Sequence, residues 1–122
     1  MSHIVTVKTE VRDHAAVADA CRRLTLAEPA IGTAQLYSGQ VTGLLFHLPE
    51  WLYPVVVDTA TGTIRYDNYG GAWGDVRHLH RFLQAYAVER ARGEARRKNY
   101  ATTEQSLADG SILVEIEVGG SA

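Results

Sequence analysis

The sequence predicts a single compact α+β domain over residues 1–122, one antiparallel sheet of five to seven strands with one short and one long helix packed on it. Three observations predict it. Alternating or β-branched runs recur through residues 4–11, 33–68 and 102–118. Two stretches repeat apolar residues at helical spacing. The gaps between the middle strands are short, which makes successive strands antiparallel neighbours.

The first strand covers residues 4–11, where Val5, Val7, Thr9 and Val11 alternate with Ile4, Thr6, Lys8 and Glu10. Period 2 of this kind marks a half-buried strand. Asp13 is placed to cap a helix over residues 14–24, with Ala16, Val17, Ala20, Cys21 and Leu24 on its apolar side. Pro29 lies beyond its end, where proline disfavours helix in the residue before it. Strands follow over residues 33–37, 41–48, 53–58 and 63–68, separated by Ser38-Gly39, Pro49-Glu50 and Ala60-Thr61-Gly62. The last two of these strands form a hairpin, with Gly62 able to take the positive φ of its loop.

A glycine-rich connector, Asn68-Tyr69-Gly70-Gly71-Ala72-Trp73-Gly74, leads to Asp75 as cap of the long helix. From 75 to 98 that helix would span about 36 Å. Its stripe contains Val76, Leu79, Phe82, Leu83, Tyr86 and Ala87, and Leu79, Leu83 and Tyr86 are expected to pack on the sheet. The stripe thins after Val88, so the basic final turns are expected to project beyond the sheet. Residues 102–107 and 112–118 flank Ala108-Asp109-Gly110-Ser111, a hairpin signal.

Composition narrows the function classes. The chain has 46% hydrophobic and 21% charged residues and a net charge of −2, ordinary values for a globular chain. No apolar run approaches the ~20 residues of a membrane span, and the N-terminus lacks the basic and apolar regions of a secretory leader. With Cys21 as the one cysteine, no intramolecular disulfide or cysteine zinc cluster is possible. A cytoplasmic protein without a membrane association is expected. The near-neutral total hides a segregation: residues 90–98 carry five cations and one anion, net +4, which leaves 7 cations and 13 anions, net −6, on the rest. A basic segment on an acidic body points to a partner better than the total does.

His78 and His80 point about 200° apart on a helix and cannot share a metal; Asp75 and His78 could, but His3, His14 and His47 are distant. Cys21 lies on an apolar stripe with no activating base within reach. The glycine-rich connector lacks the lysine and Ser/Thr of a phosphate loop. No nucleophile, base and acid recur in a catalytic order, so no catalytic residue, metal or cofactor is assigned. Two features remain. Trp51, Tyr53, Tyr66, Tyr69 and Trp73 are either cross-strand packing or a recognition patch, with Tyr69 and Trp73 in the connector itself. Arg92, Arg96, Arg97 and Lys98 either complement the helix dipole or meet an acidic partner or nucleic acid.

Met1-Ser2-His3 leading into Val5-Thr6-Val7-Lys8-Thr9, and Phe82-Leu83-Gln84-Ala85-Tyr86-Ala87 in the long helix, resemble the family called hypothetical chloroplast reading frame thirty-five. Its bacterial relatives form a domain of unknown function. Plastid members carry a tryptophan-rich stretch where this chain has Tyr69-Gly70-Gly71-Ala72-Trp73. The resemblance implies an accessory role beside an AAA-type ATPase. The expected function is therefore a non-enzymatic accessory or protein-interaction module with a protein partner, homo-oligomerisation being possible. The alternative is a nucleic-acid binder using the basic helix end, which the acidic body disfavours. A weaker option is a small-ligand enzyme working near Trp73 and Asp75.

Overall fold

The computed structural model describes residues 4–118; Met1, Ser2 and the His3 imidazole of the family motif lie outside the described residues. The elements are β1 (Val5–Lys8), α1 (His14–Arg23), β2 (Ala30–Leu36), β3 (Gly39–Phe46), β4 (Val55–Asp58), β5 (Thr63–Tyr66), α2 (Val76–Arg97), β6 (Ala101–Ser106) and β7 (Ile112–Glu117). Five strands form one antiparallel sheet in the order β1-β5-β4-β3-β2. Both helices are capped as their sequences require. Asp13 accepts from the Ala16 N–H at 3.1 Å and Asp75 from the Arg77 N–H at 2.9 Å. Among the described residues no helix is long and apolar enough to cross a membrane.

The main core lies between the sheet and the two helices. Val17, Ala20 and Cys21 of α1 meet Leu79, Phe82 and Tyr86 of α2 over the inner face of β3, β4 and β5. Tyr86 also ties the β1–α1 loop down, its hydroxyl accepting from the Arg12 and Asp13 N–H groups at 3.2 and 3.1 Å. The buried stripe of α2 is rotated from the expected one. Leu83 is only partly buried and Ala87 is exposed, whereas Ala85 and Val88 are buried. The reason is that α2 has a second neighbour, the β6–β7 hairpin, and a helix covered from two sides buries a wider arc than a single stripe.

A second, smaller core lies on the opposite face of the sheet. The β2–β3 hairpin has a two-residue turn, Tyr37-Ser38, and its register pairs Gly32 with Gly43. In a flat sheet Gly39 would lie about 20 Å along β3 from the end that faces Ile4. Instead, a Cβ built on Gly39 would be 3.9 Å from the Ile4 side chain, so the outer half of the hairpin curls across the sheet. The glycine pair permits the bend: a Cβ on Gly43 would sit 2.6 Å from the Val57 carbonyl oxygen. The curl buries Ala34, Leu36 and Val41 against Val56, with Ile4 and Tyr53 beside them.

Strands β6 and β7 do not join the main sheet but form a two-stranded sheet alongside the C-terminal half of α2. The basic turns thus have a flanking hairpin where free projection was expected. A lone hairpin is marginal in water, so its attachment matters. Glu104 of β6 accepts from Arg23 of α1 at 2.7 Å and from Arg92 of α2 at 2.8 Å, and Arg23 also holds Glu89 of α2. The hydrogen bond from Arg23 is the main reason the Glu104 carboxyl is held below its usual range, against a desolvation penalty that raises it. A depressed native value means that the network stabilises docking above the unfolded-state pKa and loses it as pH falls through the native one. Hydrogen-exchange protection of residues 101–117, corrected for intrinsic rates, should accordingly hold at neutral pH and fall below about pH 4. Glu104→Gln should lower it already at pH 7 and abolish that pH dependence; unchanged protection would mean that apolar contact alone docks the hairpin.

Candidate functional site

At the end of β5 the chain turns from sheet into connector. Tyr66 faces the helices, and strand alternation sends the next residue, Asp67, to the opposite face, beside Ile4 across from it. Asp67 is 0% exposed. Its Oδ1 accepts from the Tyr69 N–H at 3.3 Å, while Oδ2 has no hydrogen-bond partner among the described residues. The buried Asn68 closes the connector on itself. Its side-chain amide donates to the Gly74 carbonyl at 3.1 Å, and its own carbonyl accepts from the Gly71 and Trp73 N–H groups at 3.0 and 2.9 Å.

The connector is also clamped from the side. The Leu52 N–H donates to the Trp73 carbonyl at 2.9 Å, and the Trp51 indole N–H to the Asp75 carbonyl at 3.0 Å. Gly74 lies under the Trp51 ring so closely that a Cβ would fall 2.5 Å from it.

Four rings converge on this base. Tyr69 stacks on Trp73 at 4.6 Å and 21°, Tyr53 meets Trp73 edge-on at 5.7 Å, and Tyr37 lies tilted at 5.3 Å. Tyr37 comes from the tip of the curled β2–β3 hairpin, Tyr53 from the approach to β4, and the other two from the connector. Tyr37 and Tyr69 remain 59% and 49% exposed. Of the aromatics noted in the sequence, Tyr53, Tyr69 and Trp73 are thus gathered at one surface. Trp51 and Tyr66 instead pair edge-on at 5.5 Å toward the main core. Tyr37 and Asp67 were missed: Tyr37 needs the hairpin curl, and Asp67 reads in the sequence as one more polar residue before a turn.

The basic residues lie elsewhere. The 22 residues of α2 separate Trp73 from Arg97 by about 33 Å of helix, so the two parts of the expected partner surface are not contiguous. Arg92 is engaged by Glu104, Arg97 pairs with Glu94 at 2.5 Å and Lys98 lies 3.8 Å from the same carboxylate. Arg96 makes no ion pair among the described residues.

The remaining candidates acquire environments of their own. Burial pushes the Cys21 thiol up to about 11, so it is a protonated core side chain at neutral pH. Hydrogen bonds from Arg77 hold the Asp75 carboxyl down to about 2, which suits a helix cap and not a group that exchanges protons near neutrality. His14, His47, His78 and His80 are dispersed, and among the described residues no three His, Cys, Asp or Glu side chains converge as a metal site would need. A groove of about 590 Å³ beside α2, floored by Val11, Leu83 and Tyr86, accounts for the partial exposure of Leu83.

No family model, curated protein or solved structure matches the chain.

Proposed function

We propose that the chain is a non-enzymatic accessory module of the cytoplasm that recognises a protein partner through Tyr37, Tyr53, Tyr69 and Trp73. One observation carries this reading: four rings from separate segments converge on a hydrogen-bonded connector, with two of them largely exposed. Tyrosine and tryptophan on a rigid base are the residues that dominate binding energy in protein interfaces, because they bury much area with few rotamers to freeze. The resemblance to the plastid reading-frame family makes an AAA-type ATPase the partner to test first.

The alternative, nucleic-acid binding at Arg92, Arg96, Arg97 and Lys98, is weakened by the carboxylates interleaved there. Glu94 and Glu104 partner three of the four cations and would repel phosphate.

Both surfaces are tested together by capture from native-host lysate with mass spectrometry, using the tagged full chain. Tyr37→Ser/Tyr69→Ser should still fold, melting somewhat lower for the two lost ring contacts with Trp73, and should lose the captured partner. Arg96→Ser/Arg97→Ser should keep it. The opposite pattern, or nuclease-sensitive capture, would move function to the basic end of α2.

A further inference from the structure

We propose that β7 is a self-pairing edge: two copies of the chain join β7 to β7 antiparallel about a two-fold axis at Val114, merging their terminal hairpins into one four-stranded sheet. The pairing uses none of the aromatic surface and holds whatever that surface binds. A two-stranded sheet has two open edges and is marginal in water. Here β7 bonds to β6 alone, and Leu113, Ile116 and the following Val118 stay 41%, 41% and 70% exposed.

Hydrogen-bond parity shows which groups this edge offers. The Leu107 N–H donates to the Ser111 carbonyl at 2.9 Å, so every second residue onward, Leu113, Glu115 and Glu117, spends its N–H and C=O on β6. Ile112, Val114 and Ile116 therefore turn theirs away from β6, and none has a backbone partner among the described residues. An antiparallel copy centred on Val114 sets Val114 opposite Val114 and Ile112 opposite Ile116, each pair exchanging both N–H···O bonds. Facing β-branched side chains are favourable cross-strand pairs. They share the face of Glu104, which holds Arg92, so both α2 helices would lie on one side of the joined sheet.

Charge placement selects this edge and this register. On the opposite face Glu115 meets the second copy's Leu113 and Glu117 its Ser111, so no like charges oppose each other. The same operation on β6, whose outward residues are Thr102, Glu104 and Ser106, would set Glu104 against Glu104. Strand β1 is short and carries Lys8, a common guard against edge pairing. The uncharged β2 edge is the competitor, with Ile31 74% exposed, but its sheet already has five strands.

Sedimentation velocity of the full chain from about 1 μM to 1 mM should show a monomer–dimer equilibrium with a Kd of roughly 10–100 μM, as a small interface gives. Leu113→Glu, a change on the exposed face, sets like charges across the axis and should weaken the dimer about tenfold, whereas Leu113→Lys faces Glu115 and should tighten it. In the native chain the amides of Ile112, Val114 and Ile116 should gain hydrogen-exchange protection as concentration rises, while those of Thr102, Glu104 and Ser106 should not; this decides the matter if a variant fails to fold. The proposal is overturned by a chain that stays monomeric, by two Leu113 variants that move the dimer the same way or not at all, or by protection gained on β6 instead. A dimer lost with Ile31→Lys or with Tyr37→Ser/Tyr69→Ser would overturn it as well, placing the contact on β2 or on the aromatic surface.

Discussion

Replacing Phe82 with alanine is expected to cost about 3–5 kcal/mol, a large part of the 5–15 kcal/mol that typically holds a domain folded. Phe82 is 0% exposed and stacks on Phe46 of β3 at 4.0 Å and 20°, so it joins α2 to the sheet. Removing the ring leaves a cavity that neither a strand paired on both sides nor a helix with a second neighbour can close. Leu83→Ala should cost much less, about 1 kcal/mol, because the open groove leaves that side chain partly in water already. Urea unfolding of both variants reads the difference. If Leu83→Ala proved the more damaging, α2 would be rotated toward the stripe that periodicity alone suggests.

That rotation shows where sequence reasoning runs out. Local rules worked wherever the cause is local. Asp13 and Asp75 cap the helices because a short carboxylate beside unpaired N–H groups is favourable in any fold, and the β4–β5 loop closes with Gly62 at φ 77°. The five-strand sheet and two helices follow from periods of 2 and 3.6. What escaped depends on a second partner. The buried arc of α2 differs from the single apolar stripe because Arg23 and Arg92 hold the terminal hairpin beside the helix, a contact that no local pattern announces.

The aromatic site was half legible for the same reason. Tyr53, Tyr69 and Trp73 lie within one short stretch of sequence, but Tyr37 reaches them through the curl of β2–β3. A signal for that curl was present. A Tyr37-Ser38 turn pairs Leu36 with Gly39 and therefore Gly32 with Gly43, two glycines opposite each other in mid-hairpin, where side chains would otherwise keep the sheet flat. The basic segment shows the converse error of reading charge in one dimension. Net +4 over residues 90–98 says little once Glu104, distant in sequence, lies against Arg92.

Gly74→Ala is expected to damage fold and site together, at about 2–4 kcal/mol, from overpacking plus a lost hydrogen bond. The added methyl would lie 2.5–2.6 Å from three atoms of the Trp51 ring. The ring cannot tilt away without giving up its 3.0 Å bond to the Asp75 carbonyl and its edge contact with Tyr66. The connector cannot move instead, since the Gly74 carbonyl holds the Asn68 side chain and the Trp73 carbonyl holds Leu52. Whichever yields, Trp73 leaves its place among Tyr37, Tyr53 and Tyr69, so near-ultraviolet circular dichroism and the Trp73 indole shift should change along with the melting temperature. Gly93→Ala is the control: it lies inside α2 with nothing within 4 Å of its Cβ position, and should stabilise by about 0.5–1 kcal/mol through helix propensity. If Gly74→Ala instead melts like the native chain with its aromatic signals intact, Trp51 has room to move and the connector is not the rigid base that the recognition surface requires.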